Sequence, residues 1–299
     1  MIPNELFERL TESGIEYRRN TSLKPFSTFR VGGEGVLVIL PDSRETLCRA
    51  VAILRERETP FEVIGNGSNV LFGDGTLERV LIVTRGIAAL QQTGNQITAG
   101  CGASLAALAA CAAEASLSGL EFARGIPGTV GGALFMNAGA YGGAMSDVVT
   151  ESLALDTESG RLLTLTDHGF GYRTSVYMNN PRLICLGGTF SLTPGDKRAI
   201  EEKMRELAVS RKEKQPLEYP SAGSYFKRPE GHFAGKLIED CGLKGTRIGG
   251  AAVSQKHAGF LINLGGATAE DVLRLEELVR AQVLSRFGVE LEREVRWIR

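Results

Sequence analysis

Histidine is scarce in this chain: only His168, His232 and His257 occur among 299 residues, and they form no ligand cluster. Cysteine is nearly as sparse, with Cys48, Cys101, Cys111, Cys185 and Cys241 scattered, odd in number and without a CxxC pair. That pattern speaks against a disulfide framework and a structural zinc site, and it fits a reducing compartment. No metal is expected. No window reaches 18 uninterrupted apolar residues, so no membrane span is expected either. The start, Met-Ile-Pro-Asn-Glu, lacks the basic-then-apolar order of a secretory signal, and a cytoplasmic location is the expectation. A net charge of −1 gives bulk electrostatics no pull towards nucleic acid or a membrane surface. P-loop, zincin, EF-hand and nucleophile-elbow spacings are missing. Without a metal or a Ser/His pair, hydrolysis is disfavoured, and a bound cofactor that carries the demanding step is the alternative.

Glycine, by contrast, is concentrated. Eight of the 25 residues from Gly119 to Gly143 are glycine, and only Glu121 and Arg124 carry charge. Gly125-Ile-Pro-Gly128 reads as a turn, with Pro127 fixing φ and Gly128 tolerating positive φ. Gly131 and Gly132 remove side chains where a backbone must come close to something. Consecutive free N–H groups in such a turn suit a phosphate or pyrophosphate. A tight buried crossing without ligand would use the same residues, but an apolar, nearly uncharged run of this length favours a large flat cofactor.

At 43% hydrophobic and 23% charged residues the chain is an ordinary globular one, long enough for two or three domains. Residues 3–13 predict an amphipathic helix with Leu6 and Leu10 inward, and 20–34 read as polar and irregular. A β-α-β unit is expected over 35–64, its helix opened by Asp42 with Glu45 as a capping-box-like pair. Gly65-Asn66-Gly67-Ser68-Asn69 then begins like a dinucleotide fingerprint, but it runs into strand-like Val70-Leu71-Phe72 rather than a helix. A Rossmann site needs that helix N-terminus, so the reading is rejected. An anion-binding turn and an ordinary hairpin turn both stay open.

Further strands are expected at 80–83, 96–99, 148–156, 161–165 and 183–186, with an Ala-rich helix from Ser104 to Ala115 burying Leu105, Leu108 and Cys111. Thr193-Pro194 reads as the start of a charged helix reaching about Lys212. Phe233–Cys241 reads as helix, 242–254 as a glycine-rich connection and 260–263 as strand. Thr268 caps a last helix with Val272, Leu275 and Val279 inward, which Gly288 stops. The tail through Glu294-Val-Arg-Trp-Ile is strand-like.

Three isolated residues could carry chemistry: Arg173 in a short aromatic turn, Ser224 beside two aromatics and two cations, and Glu294 in the charged tail. Each has a bland reading, as a surface ion pair, a turn cap and a solvated strand face. His257 reads either as a ligand contact or as a satisfied structural histidine.

Taken together, Gly65-Asn-Gly-Ser-Asn69, the Gly119–Gly143 run, Tyr172-Arg173, Ala222-Gly-Ser-Tyr-Phe-Lys-Arg-Pro229, Val253–Asn263 and Glu294-Val-Arg296 resemble the UDP-N-acetylenolpyruvoylglucosamine reductase family. The match runs in order over essentially the whole chain. The resemblance implies an α+β fold: a vanillyl-alcohol-oxidase-type FAD-binding domain in two subdomains (1–65 and 66–190), a substrate-binding domain (191–288), and a C-terminal strand (289–299) returning to the active site. It implies non-covalent FAD, NADPH as co-substrate, and reduction of UDP-N-acetylglucosamine enolpyruvate to UDP-N-acetylmuramate for cell-wall synthesis. A small-molecule nucleotide sugar is then the partner.

By motif, Ser224 matches the proton donor, and Arg173 and Glu294 match the pair around the substrate carboxyl group. The FAD contacts would come from Gly65, Asn66, Gly67, Ser68 and Asn69, from Gly125, Pro127, Gly128, Thr129, Gly131 and Gly132, and from Asn137, Ala138 and Gly139. Tyr172, Lys214, Lys227, Arg228, Gln255 and His257 match substrate contacts, with Arg228 standing where many relatives have asparagine. The length resembles the shorter form of the family, which lacks an inserted tyrosine loop. Competing readings are a related FAD oxidase of the same fold and a nucleotide-sugar binding module without redox chemistry.

Overall fold

The computed structural model describes residues 4–299 and divides into two compact units. Unit 1 gathers the segment ending at Arg19 with Leu37–Asn66 and Arg79–Ser210; unit 2 gathers Asn20–Val36, Gly67–Glu78 and Arg211–Arg299.

In unit 1 the amphipathic helix Asn4–Glu12 forms where the spacing predicts it and buries Leu6 and Leu10. The expected β-α-β unit is present with a strand inserted: Val80–Val83, an all-buried apolar run, lies parallel to Phe61–Ile64 on one side and to Val38 and Ile39 on the other. Helix Arg44–Glu56 buries Leu47, Val51 and Leu54, but its cap lies one residue later than Asp42. Ser43 Oγ accepts from Thr46 N at 3.2 Å and Thr46 Oγ1 accepts from Ser43 N at 3.0 Å, while Asp42 Oδ1 accepts from the Thr46 hydroxyl at 3.0 Å. A threonine at the third helical position thus does the back-bonding expected of a glutamate.

A five-stranded sheet follows in the order Leu162–Leu165, Val149–Asp156, Leu183–Ser191, Gln96–Gly100, Leu90–Thr93, antiparallel throughout. Its edge strand Leu90–Thr93 is polar and exposed and gave no sequence signal. Helix Leu105–Glu114, capped by Ser104, packs Leu105, Leu108, Ala109 and Ala112 into one core with Phe122, Leu134 and Phe190, leaving Cys111 only half-buried. Thr193-Pro194 does not open a helix. These residues pair antiparallel with Leu117-Ser118, where a proline without N–H is tolerated, and the helix begins at Lys197.

Unit 2 has its own core, around Tyr225, Phe226, Val272, Leu275, Val279 and Leu291. The 242–254 connection carries two unexpected short strands, Arg247–Ile248 and Ala251–Val253, which pair antiparallel in a three-stranded sheet with Leu261–Asn263. Helix Ala269–Phe287 has the capping box Thr268/Asp271 and ends at Gly288 with φ 67°. Asp74 adds a second cap, accepting from Ala269 N at 2.7 Å and Glu270 N at 3.0 Å. The C-terminal strand Arg296–Ile298 pairs in parallel with Val70–Phe72. The 65–69 segment is therefore no hairpin turn: the strand before it and the strand after it belong to different sheets. No helix among the described residues is long and apolar enough to cross a membrane.

A polar cluster sits inside unit 1. His168 is buried, its Nε2 lies 2.9 Å from Ser152 Oγ, and that hydroxyl lies 2.6 Å from Tyr177 OH. Burial lowers the His168 pKa below 6.5, against a smaller opposing pull from Asp167. The folded protein thus binds fewer protons than the unfolded chain around that pH, so stability rises with pH through the window and is lost on acidification below about 6.5. His168→Gln should flatten this acid-side slope, with His257 supplying a remainder because burial lowers its value too. Urea midpoints at about pH 7.5 and about pH 5.5 measure it, and an unchanged difference in the variant contradicts the assignment.

Candidate functional site

Unit 1 contributes a backbone-rich surface. After the short helix Glu121–Gly125, the chain passes through Ile126–Gly128 to Thr129, which caps helix Val130–Met136 by accepting from Gly132 N at 3.5 Å. Gly128 is not in the positive-φ region; the left-handed residues here are Asn137 (φ 43°) and Tyr141 (φ 54°). The glycines divide into two kinds. A Cβ on Gly65 would meet Thr129 Oγ1 at 2.0 Å, and one on Gly131 would meet Cys101 Cβ at 3.0 Å, so both are required by the protein's own close approaches. A Cβ on Gly132 would meet only Thr129 Oγ1, at 3.7 Å, so this exposed position leaves room for something outside the protein. Asn66 Nδ2 donates to Pro127 O at 2.7 Å and joins the two glycine-bearing loops. Arg85, which sequence reasoning missed because it reads as a surface residue at a strand end, donates to Asn66 O at 3.1 Å.

Asn137 ends the short helix and holds a second feature. Its Nδ2 donates to Gly171 O at 3.1 Å, and its Oδ1 accepts from Ser146 N at 3.0 Å. Gly171 and Thr174 close a tight turn through mutual backbone hydrogen bonds of 3.2 and 3.4 Å, with Tyr172 and Arg173 at its tip. Arg173 is left-handed (φ 55°), half-buried, packed over the Tyr172 ring at 5.2 Å, and donates to Gly139 O at 3.4 Å. Asn137 and Gly139 thereby fix the turn that presents the guanidinium. Ala138 follows with its N–H donating to Ala133 O, as part of the helix end.

Unit 2 brings Ser224 and Glu294 onto adjoining extended segments. Phe226 and Arg293 form an antiparallel bridge; Glu294 N donates to Tyr225 O at 2.9 Å and Lys227 N to Glu292 O at 2.8 Å. Ser224 follows the left-handed Gly223 (φ 80°) and is exposed, and its hydroxyl has no hydrogen-bond partner among the described residues. Asn69 Nδ2 donates to Glu294 O at 3.1 Å and Arg296 N to Asn69 O at 3.0 Å, so this asparagine anchors the Glu294 backbone. Gly67 is buried with φ 63°, and a Cβ there would meet Phe26 O at 2.0 Å.

Of the expected substrate contacts, Lys214, Lys227, Arg228, Gln255 and His257 lie in the same unit, and Tyr172 lies in unit 1. Lys227 is ion-paired with Glu292. Arg228 packs over the Phe233 ring at 3.9 Å, Lys214 is exposed at the end of helix Lys197–Lys214, and Gln255 is exposed. His257 Nδ1 accepts from Gly259 N at 3.1 Å, and its ring meets Phe260 edge-on.

No thiolate is on offer. The five cysteines are unpaired, and burial pushes Cys101 up to about 12 and Cys185 to about 11. No group of three or more His, Cys, Asp or Glu among the described residues is arranged to hold a metal.

Comparison with known proteins matches residues 36–166 to an FAD binding domain family and residues 215–298 to the C-terminal domain of UDP-N-acetylenolpyruvoylglucosamine reductase. The chain is similar to the UDP-N-acetylenolpyruvoylglucosamine reductase of Clostridium botulinum (strain Alaska E43 / Type E3), 48% identical over 98% of this chain and 96% of the other. It is likewise 46% identical to that of Geobacillus thermodenitrificans, over 93% and 91%. Among solved structures it resembles the Thermus caldophilus UDP-N-acetylenolpyruvylglucosamine reductase at a TM-score of 0.80 and 35% identity, covering 95% of this chain and 99% of that one. The α+β architecture, with its FAD-binding domain and the family's C-terminal domain, follows.

The residues suit such a dinucleotide. The amides of Asn66, Gly67 and Ser68 donate to no acceptor among the described residues, although Gly67 is buried. Unmatched amides in a glycine turn are the donors a pyrophosphate takes. The first turn at Gly132 is bare of side chain, with space beside it.

Two outcomes follow. Gly65→Ala must displace the buried Thr129 hydroxyl that caps the short helix, and is expected to weaken FAD binding about tenfold or more in a flavin-absorbance titration; wild-type affinity contradicts the close approach. Asn137→Gly keeps the left-handed backbone but removes both side-chain bonds, so amide exchange at Gly171 and Thr174 should quicken roughly fivefold or more. Unchanged exchange would show that the turn holds itself.

Proposed function

The chain belongs to the UDP-N-acetylenolpyruvoylglucosamine reductase family, and on that premise we propose how its own residues carry the reaction. Family membership makes it an FAD-dependent reductase of UDP-N-acetylenolpyruvoylglucosamine. In the finer reading NADPH is the reductant, FAD is bound without a covalent link, and the product is UDP-N-acetylmuramate for peptidoglycan precursor synthesis. The chemistry that bound FAD supplies is two-electron transfer, a hydride taken from NADPH and one delivered to the β-carbon of the enolpyruvyl ether. The 65–69 loop, the Gly125–Gly132 stretch and Asn137–Gly139 are the proposed cofactor contacts, with Arg85 added as a cation beside the free amides.

Addition at the β-carbon leaves negative charge on the α-carbon and its carboxylate. Arg173 stabilises that charge as it develops, and it is suited to do so because its turn is held in advance by Asn137 and Gly139. Ser224 gives its proton to the α-carbon. An alcohol is a weak acid, but an enolate carbon is a strong base, so the transfer runs downhill once the two are in contact. Glu294 is assigned to the carboxyl end of the same group.

Lys214, Lys227, Arg228, Gln255, His257 and Tyr172 are the proposed substrate contacts, and residues 191–288 the domain that carries most of them. The Lys227 pairing with Glu292 makes it a weaker source of charge than Lys214. The observation that carries the assignment of Ser224 is its exposure on a left-handed glycine, with a hydroxyl that nothing among the described residues engages, one residue from the backbone bond that anchors Glu294.

Ser224→Ala is the test. Anaerobic stopped-flow should find flavin reduction by NADPH within about twofold of wild type, while reoxidation by the enolpyruvyl substrate slows by about two orders of magnitude or more. Equal slowing of both half-reactions, or none, would remove the serine from its role.

A further inference from the structure

The residues adjoining Ser224 and Glu294 converge on one buried carboxylate. Glu276 lies on the inward stripe of helix Ala269–Phe287, beside Val272, Leu275 and Val279, and is 2% exposed. Tyr225, which follows Ser224, is itself buried and donates its hydroxyl to Glu276 Oε2 at 2.9 Å. Arg293, which precedes Glu294, reaches the same carboxylate with Nε, 3.0 Å from Oε1 and 2.9 Å from Oε2. Arg280, one turn further along the helix, stands 4.0 Å away and is drawn off to Glu290 at 2.9 Å. Burial first, and then the Glu276 charge, push the Tyr225 phenol upward, so it stays a donor across the working range.

An apolar residue at this helical position would fill the core without strain on the pattern. A charge there needs a reason, because a buried carboxylate is tolerated only with its partners in place. Both partners sit one residue from a proposed reacting group, and the two segments are already joined by the Glu294 N–H to Tyr225 carbonyl bond of 2.9 Å. Backbone bonding sets the register of the segments but leaves them free to roll. Side-chain anchors at Tyr225 and Arg293, on one rigid helix, remove that freedom.

We propose that Glu276 is a positioning residue for the reduction, a single buried clamp that sets both Ser224 and Glu294 through their chain neighbours. The inference rests on the roles proposed above for those two residues. It requires no contact between Glu276 and substrate or cofactor, so its loss should act on geometry alone.

The test uses FAD-loaded full-length enzyme with Glu276→Gln, which keeps the shape but sets an amide against Arg293, and Tyr225→Phe, which removes one hydroxyl. In Glu276→Gln, reoxidation by the enolpyruvyl substrate should slow about 10- to 100-fold, with flavin reduction by NADPH within about twofold. Tyr225→Phe should move the same step in the same direction by less, and it serves where Glu276→Gln does not fold. Glu276→Asp, which retains the charge, should recover part of the loss. A second readout is independent of turnover: amide exchange at Glu294 should rise in both variants. Normal reoxidation, or equal slowing of both half-reactions, overturns the clamp. Ser224→Ala measured alongside separates the two failures: if it slows reoxidation and the clamp variants do not, only the clamp is lost. If it does not slow reoxidation, the serine's role falls and the shared clamp with it.

Discussion

The antiparallel bridge between Phe226 and Arg293 is the contact on which the chemistry proposed for unit 2 depends. It joins segments far apart in sequence. Their register is kept by Glu294 N to Tyr225 O and Lys227 N to Glu292 O, and their orientation by the Glu276 carboxylate beneath. Breaking one partner of such a buried charge costs about 3–5 kcal/mol, because the remaining charge is left without compensation. That magnitude rivals a large share of a domain's net stability. Two arms hold the carboxylate, and both adjoin proposed reacting residues.

Unit 1 solves a different problem with different material. A pyrophosphate and a flat ring need donors and bare surface more than they need side chains; here the Asn66 amide is unmatched and Gly132 is bare. Gly65 and Gly131 let segments of the protein touch, while Gly132 leaves a surface open. The amide that Gly131 contributes is used up on Cys101 O at 2.8 Å, which braces the short helix against the sheet strand's end. Asn66 and Asn137 each spend a side chain on a neighbouring carbonyl, tying one loop to the next.

Much of the scaffold could be read from residue patterns. Helix Ala269–Phe287, with Thr268 before it and Gly288 after it, follows rules of capping and period, and Val80–Val83 is a buried strand by composition alone. What escaped was whatever tertiary contacts override local preference. Helix Val130–Met136 contains Gly131 and Gly132, which disfavour helix, and it exists because Thr129 caps it and neighbouring backbone receives it. Strands Arg247–Ile248 and Ala251–Val253 are too short and glycine-broken to show a period. Ser224, Arg173 and Glu294 were ambiguous taken singly, and the family's pattern gathered them. Glu276 was invisible, since a glutamate in a charged helix reads as solvated until its partners are seen.

On this reading the chain binds FAD and passes electrons to an enolpyruvyl nucleotide sugar. An anaerobic flavin spectrum followed through both substrates tests it most directly. NADPH should bleach the bound flavin, and UDP-N-acetylenolpyruvoylglucosamine should restore the colour far faster than air does. Purified protein that stays colourless with added FAD, or reduced enzyme that recovers with oxygen but not with the nucleotide sugar, would contradict the account.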